Sequence, residues 1–211
     1  MPILENKYFM QAIYYSNQQV NRLNNLIRNS TFRANVAIQK MPTHHRYLEI
    51  GKYGKSCPKW FLKKFSALER GQLFSWFLAD ALGIVLAELN YKRFKVVTSK
   101  NWRKSRFTSA RDILRERLRT CGTLALLVAC GLKSLGIPTK LVHGYFKNPK
   151  EKFRHAWNEI YFPEYKKFLP LDITRLNYKI TPQHMKVKEC IDWEELEGPK
   201  WDVHKHFRKL R

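Results

Sequence analysis

At 211 residues with 44% hydrophobic content, the chain fits one globular domain, or one domain with extensions, and can bury a full core. Forty Lys and Arg against seventeen Asp and Glu leave a net charge of +23, a field that favours nucleic acid, anionic lipid or an acidic polymer, although solubility alone accounts for the same excess. Four cysteines, Cys57, Cys121, Cys130 and Cys190, form no CxxC pair and are too sparse for a disulfide scaffold, which favours a reducing, cytoplasmic setting. Met1 to Lys7 lacks the basic-then-apolar order of a secretory signal, so export is not expected.

Along the chain, Phe9, Met10, Ile13, Val20, Leu23, Leu26 and Ile27 recur at helical spacing and predict an amphipathic helix over 8–28. Phe32, Ala34, Val36 and Ile38 then alternate, which predicts a short strand or extended arm. His44-His45 reads as a polar loop pair, and Gly51, Gly54 and Pro58 mark a loop that contains Cys57. A short helix follows over 59–69 and a longer one over 72–89. Asp80 and Glu88 interrupt its apolar run, which favours a buried helix over a membrane span. A basic helix over 109–118 leads to CGTLALLVACGLKS at 121–134, which Gly136 and Pro138 stop. Three strand-like runs come next, Lys140 to Phe146, Ala156 to Phe162 and Lys167 to Ile173, the last two joined by the turn-prone Pro163-Glu-Tyr-Lys166. The order is helix, then β-meander.

Residues 92–119 hold eleven basic and two acidic residues, and 40–64 hold seven basic residues against Glu49. Neither run has the Gly-rich, aromatic-punctuated pattern of a single-strand binder, so nucleic-acid binding is a secondary hypothesis. No P-loop, dinucleotide fingerprint or internal repeat is present. His204 and His206 lie in the basic tail from Gly198 to Arg211 without spaced carboxylates and do not make a metal site with Cys190.

A cysteine nucleophile needs a stabilised thiolate, a base, and a group that orients the base. Cys121 opens a helix, where unpaired N–H groups and the positive end of the macrodipole favour thiolate and offer donors to an oxyanion. If Pro163 to Lys166 closes an antiparallel hairpin, His155 and Asp172 fall nearly opposite each other on one face, about 4.5–5.5 Å apart at their α-carbons. The aspartate would then fix the imidazole tautomer, as in a nucleophile, base and orienter triad. Cys130, beside Ala129 and Gly131, reads as a core residue; His143 faces either the site or the core, and Glu159 either joins His155 and Trp157 or is solvated.

The ordered set of Cys121, Leu135-Gly-Ile-Pro138, Val142-His-Gly-Tyr145, His155-Ala-Trp-Asn-Glu159 and Leu169-Pro-Leu-Asp-Ile-Thr174 resembles the core of the transglutaminase-like superfamily over about 105–176. Ser109-Ala-Arg-Asp-Ile-Leu114 is similar to the helix that precedes the family cysteine. The resemblance implies an α+β, papain-like core, with the nucleophile at a helix N-terminus packed on an antiparallel β-meander. It implies Cys121 as nucleophile, His155 as general base and acid, Asp172 as orienter and Trp157 as the residue packed beneath the site. Arg119 stands where many members have glycine, where it would narrow the cleft, favour thiolate or bind an acidic substrate. Trp102 and Gln72 are the candidates for an upstream oxyanion donor. The expected organisation is a basic helical extension over 1–70, the core over 71–180 and a basic tail over 181–211.

The implied chemistry is thiol acyl transfer without cofactor or metal, most simply hydrolysis of a peptide or amide substrate, with an acidic peptide a natural partner for the basic surface. Glutamine–lysine crosslinking and a non-catalytic polyanion or nucleic-acid module on the same fold are the alternatives.

Overall fold

The computed structural model describes residues 31–90, 95–96, 109–147, 152–174 and 184–191. The expected helix over 8–28, Trp102 and the tail with His204 and His206 lie outside them.

The chain enters through α1 (Ala34–Gln39), a one-turn α2 (Lys52–Lys55), α3 (Lys59–Ser66) and the long α4 (Phe74–Asn90). A two-residue strand β1 (Lys95–Val96) pairs in parallel with β2 (Leu118–Arg119), and between them lies α5 (Ala110–Glu116). The central helix α6 (Cys121–Ser134) is followed by β3 (Thr139–Lys147), β4 (Lys152–Phe162), β5 (Lys167–Leu171) and β6 (His184–Cys190). These last four form one antiparallel sheet in the order β5-β4-β3-β6.

Two local expectations give way to the structure. The alternation at Phe32 to Ile38 suggested a strand, but α1 is helical because Ala34 and Ala37 are the side chains turned to the core, while Val36 is exposed. The spacing that matters there is three, not two. In the expected loop at Gly51 to Pro58, Lys52–Lys55 instead closes a helical turn around buried Gly54.

Helix α6 is apolar all round because it is enclosed all round: every residue from Gly122 to Lys133 is buried. Helices α3 and α4 lie against it, and β3 and β4 carry it on the sheet side. Phe65 of α3 approaches so closely that a Cβ on Gly131 would meet its ring at 2.2 Å. Asn158 of β4 fixes helix to sheet from within, its amide donating to the Ala125 carbonyl at 3.0 Å. At the far end Gly136 takes φ +81, letting Ile137 N–H reach the Leu132 carbonyl and Gly136 N–H the Lys133 carbonyl, both at 3.0 Å. This closure stops the helix and turns the chain into β3.

One apolar cluster runs from Ala34, Phe61 and Phe65 through α4 and α6 to Cys190 of β6. It therefore draws residues from both sides of position 70 and from beyond 180. Among the described residues no helix is long and apolar enough to cross a membrane; α4 is enclosed, with Leu78, Ile84 and Leu89 fully buried.

Candidate active site

The position of Cys121 is set by what precedes it. Helix α5 ends at Arg117 in the left-handed region (φ 53), β2 redirects the chain, and Thr120 in extended conformation begins α6. Thr120 Oγ1 accepts from Thr123 N at 3.1 Å, and Thr123 Oγ1 accepts from Thr120 N at 2.8 Å, a reciprocal cap that fixes the first helical residue as Cys121. The Leu124 N–H bonds to the Thr120 carbonyl. Among the described residues, the N–H groups of Cys121 and Gly122 meet no acceptor, so two donors remain at the half-buried thiol.

His155 and Asp172 are each 3% exposed. The imidazole Nε2 lies 2.7 Å from Asp172 Oδ2. The hairpin register pairs Asn158 with Leu171, and continued by one residue it puts Asp172 level with Trp157, so His155 and Asp172 are diagonal neighbours on one face, in keeping with the nearly opposite placement expected from sequence. The side chains close the extra distance. Trp157, fully buried, stacks beside His155 with ring centroids 6.1 Å apart and planes 27° from parallel.

Burial opposes a charged imidazole, but hydrogen bonds to Asp172 and to Cys121, reinforced by their negative charge, outweigh it and push His155 up to about 9. Since Nε2 is engaged by Asp172, Nδ1 is the ring nitrogen left for the sulfur. Helix start, imidazole and carboxylate thus form one connected row.

Other candidates fall elsewhere. Arg119 contributes its backbone to β2, paired with Val96, and its side chain lies outside the described residues. Gln72 donates to Asp80 at 2.9 Å. Glu159 is held by Lys186 and Lys140, and half-buried His143 pairs along β3 with Ala156 and Lys188. His45 caps the 3-10 turn Arg46–Leu48 and stacks on Tyr47. Cys130 and Cys190 are buried, and no cluster of metal-ligating side chains occurs among the described residues.

Thr174 carried no role in the sequence reading, yet it bonds Asp172 through both its N–H (3.1 Å to Oδ1) and its hydroxyl. The signal was the Asp-Ile-Thr spacing, since a carboxylate commonly accepts from the residue two positions on. Thr120 and Thr123 were legible in the same way as a cap.

A family model described as the transglutaminase-like superfamily matches residues 81–173. A crystal structure of a candidate cysteine protease from Cytophaga hutchinsonii is similar in fold, with a TM-score of 0.51 and 21% identity over 72% of this chain. The match covers 48% of that protein, so this chain spans about half its length. No curated protein sequence matches the chain significantly. Capped helix, antiparallel sheet and family match agree, and residues 81–173 are similar to the transglutaminase-like superfamily in sequence and in fold.

Proposed function

We propose that the protein is a cysteine acyl-transfer enzyme acting as a hydrolase on peptide or amide bonds. One observation carries this reading: an imidazole held between Asp172 and Cys121 at the N-terminus of α6, with His155 raised to about 9. Such an imidazole stays protonated near neutrality and stands ready beside the sulfur as a general acid.

In the first step the Cys121 thiolate attacks the carbonyl carbon, forming an S–C bond and an oxyanion that the Cys121 and Gly122 N–H groups are free to receive. His155 gives its proton to the leaving nitrogen as the C–N bond breaks, leaving a thioester. Neutral His155 then takes a proton from water as the hydroxide adds to the thioester carbonyl; the C–S bond breaks, releasing the acid and restoring the thiolate beside a protonated imidazole. Asp172 holds the ring throughout and stabilises its charged form.

An activity-based thiol probe should label the wild type at Cys121 and fail to label Cys121→Ala; equal labelling of both sinks the assignment. Incubating the thioester with a labelled amine separates the acceptors: release of free acid supports hydrolysis, and amine incorporation supports crosslinking. A docking role for polyanions is a second reading, favoured by Lys52, Lys55, Lys59 and Lys63, all exposed on α2 and α3. Sequence-selective nucleic-acid binding that survives Cys121→Ala, without acyl transfer, would establish it in place of the enzyme.

A further inference from the structure

We propose that Thr174 is a positioning residue that fixes which oxygen of Asp172 faces His155, and thereby which ring nitrogen is presented to Cys121; this rests on the acyl-transfer reading above. Thr174 lies in the turn that follows β5, two residues beyond Asp172. Its N–H and hydroxyl both donate to Asp172 Oδ1, the first at 3.1 Å. Asp172 Oδ2 is thereby left to the imidazole, at 2.7 Å from Nε2. The Thr174 oxygen also lies 3.4 Å from Nε2.

These contacts close a ring among three side chains with only one consistent set of protons. An ionised carboxylate accepts only, so Nε2 must carry a hydrogen, and the Thr174 hydroxyl, having given its hydrogen to Oδ1, turns a lone pair towards that same N–H. Nδ1 is left to exchange its proton with sulfur. A terminal carboxylate torsion is broad and two-fold, so without the hydroxyl the two oxygens of Asp172 would exchange more readily and the imidazole would lose a fixed partner. Ile173, 2% exposed, anchors the turn between the two residues.

The test follows iodoacetamide alkylation of Cys121 by mass spectrometry across pH, together with the His155 Nε2 proton by NMR, in wild type, Thr174→Val and Thr174→Ser. Valine keeps the branched shape and the backbone donor but removes the hydroxyl, and serine keeps the hydroxyl. Loss of a hydrogen bond to a charged group predicts alkylation about tenfold slower near neutral pH in the valine variant, and within about twofold of wild type in the serine variant. The pH profile of the valine variant should be displaced and its Nε2 proton should exchange too fast to observe, while serine retains both. A valine variant with the wild-type rate, profile and Nε2 signal overturns the proposal. If wild-type Cys121 alkylates no faster than Cys57, the acyl-transfer reading fails instead, and the Nε2 proton still decides the role of Thr174. Should the valine variant not fold, Thr174→Ala replaces it under the same criteria.

Discussion

Two ionic clusters sit on the same sheet and behave differently. His155 and Asp172 are almost completely enclosed, with side chains 4% and 3% exposed. The second cluster ties three strands together: Lys186 of β6 contacts Glu159 of β4 and Glu189 of β6, and Lys140 of β3 reaches both carboxylates. Its members range from 11% to 39% exposed. Burial disfavours charge on Glu189, but hydrogen bonds from Lys186, Tyr47 and Lys140 overcome it and hold the carboxyl down to about 2. Each charge in this cluster has several partners and none has reason to move a proton near neutrality. His155 has one carboxylate on one side and a thiol on the other, so its proton has somewhere to go. The buried row places a titratable ring between a carboxylate and a sulfur, whereas the part-exposed cluster joins strands through charges that each have several partners.

The sharpest way to break this contrast is Asp172→Asn. The amide presents both a donor and an acceptor to the ring and removes the charge, so alkylation at Cys121 and turnover should fall about 10²–10⁴-fold. Kinetics within threefold of wild type, roughly a 0.6 kcal/mol effect, would remove Asp172 from the row.

A smaller effect is expected on stability against pH. Because the folded value of His155 lies above its ordinary 6.5, its contribution is fully present below 6.5 and is lost as pH rises through about 9. Thermal melts from pH 6 to 10 should show the wild type losing its advantage over Asp172→Asn across that interval; parallel curves would contradict the charged pair.

Least affected should be Lys186→Met. This part-exposed pairing is screened by water and salt, so stability should drop by about 1 kcal/mol or less, with alkylation of Cys121 unchanged. In 1 M NaCl the deficit should shrink further, since screening at that ionic strength acts within about 3 Å. A large loss of thiol reactivity in this variant would mean that the two clusters are coupled.

Much of this architecture was legible in order and spacing. The apolar run from Cys121, its stop at Gly136, and the two runs flanking Pro163 to Lys166 are local patterns that survive in the folded chain because neighbours in sequence remain neighbours in space. β6 is hard to read because His184 to Cys190 is mostly polar, and the partners that anchor it, Glu159 and Lys140, lie across the sheet. α1 escaped because its alternation happened to mimic a strand, while the contacts of Ala34 and Ala37 with the core chose the helix.

The residue types at the helix start and on the two arms of the hairpin follow from local pattern, because capping, helix stop and turn formation are short-range effects. The diagonal placement of His155 and Asp172, the contacts of Thr174 and the raised His155 come from packing. Those depend on which oxygen faces which nitrogen around the buried His155 and Asp172, and such pairings arise only when β4, β5 and the first turn of α6 are packed together.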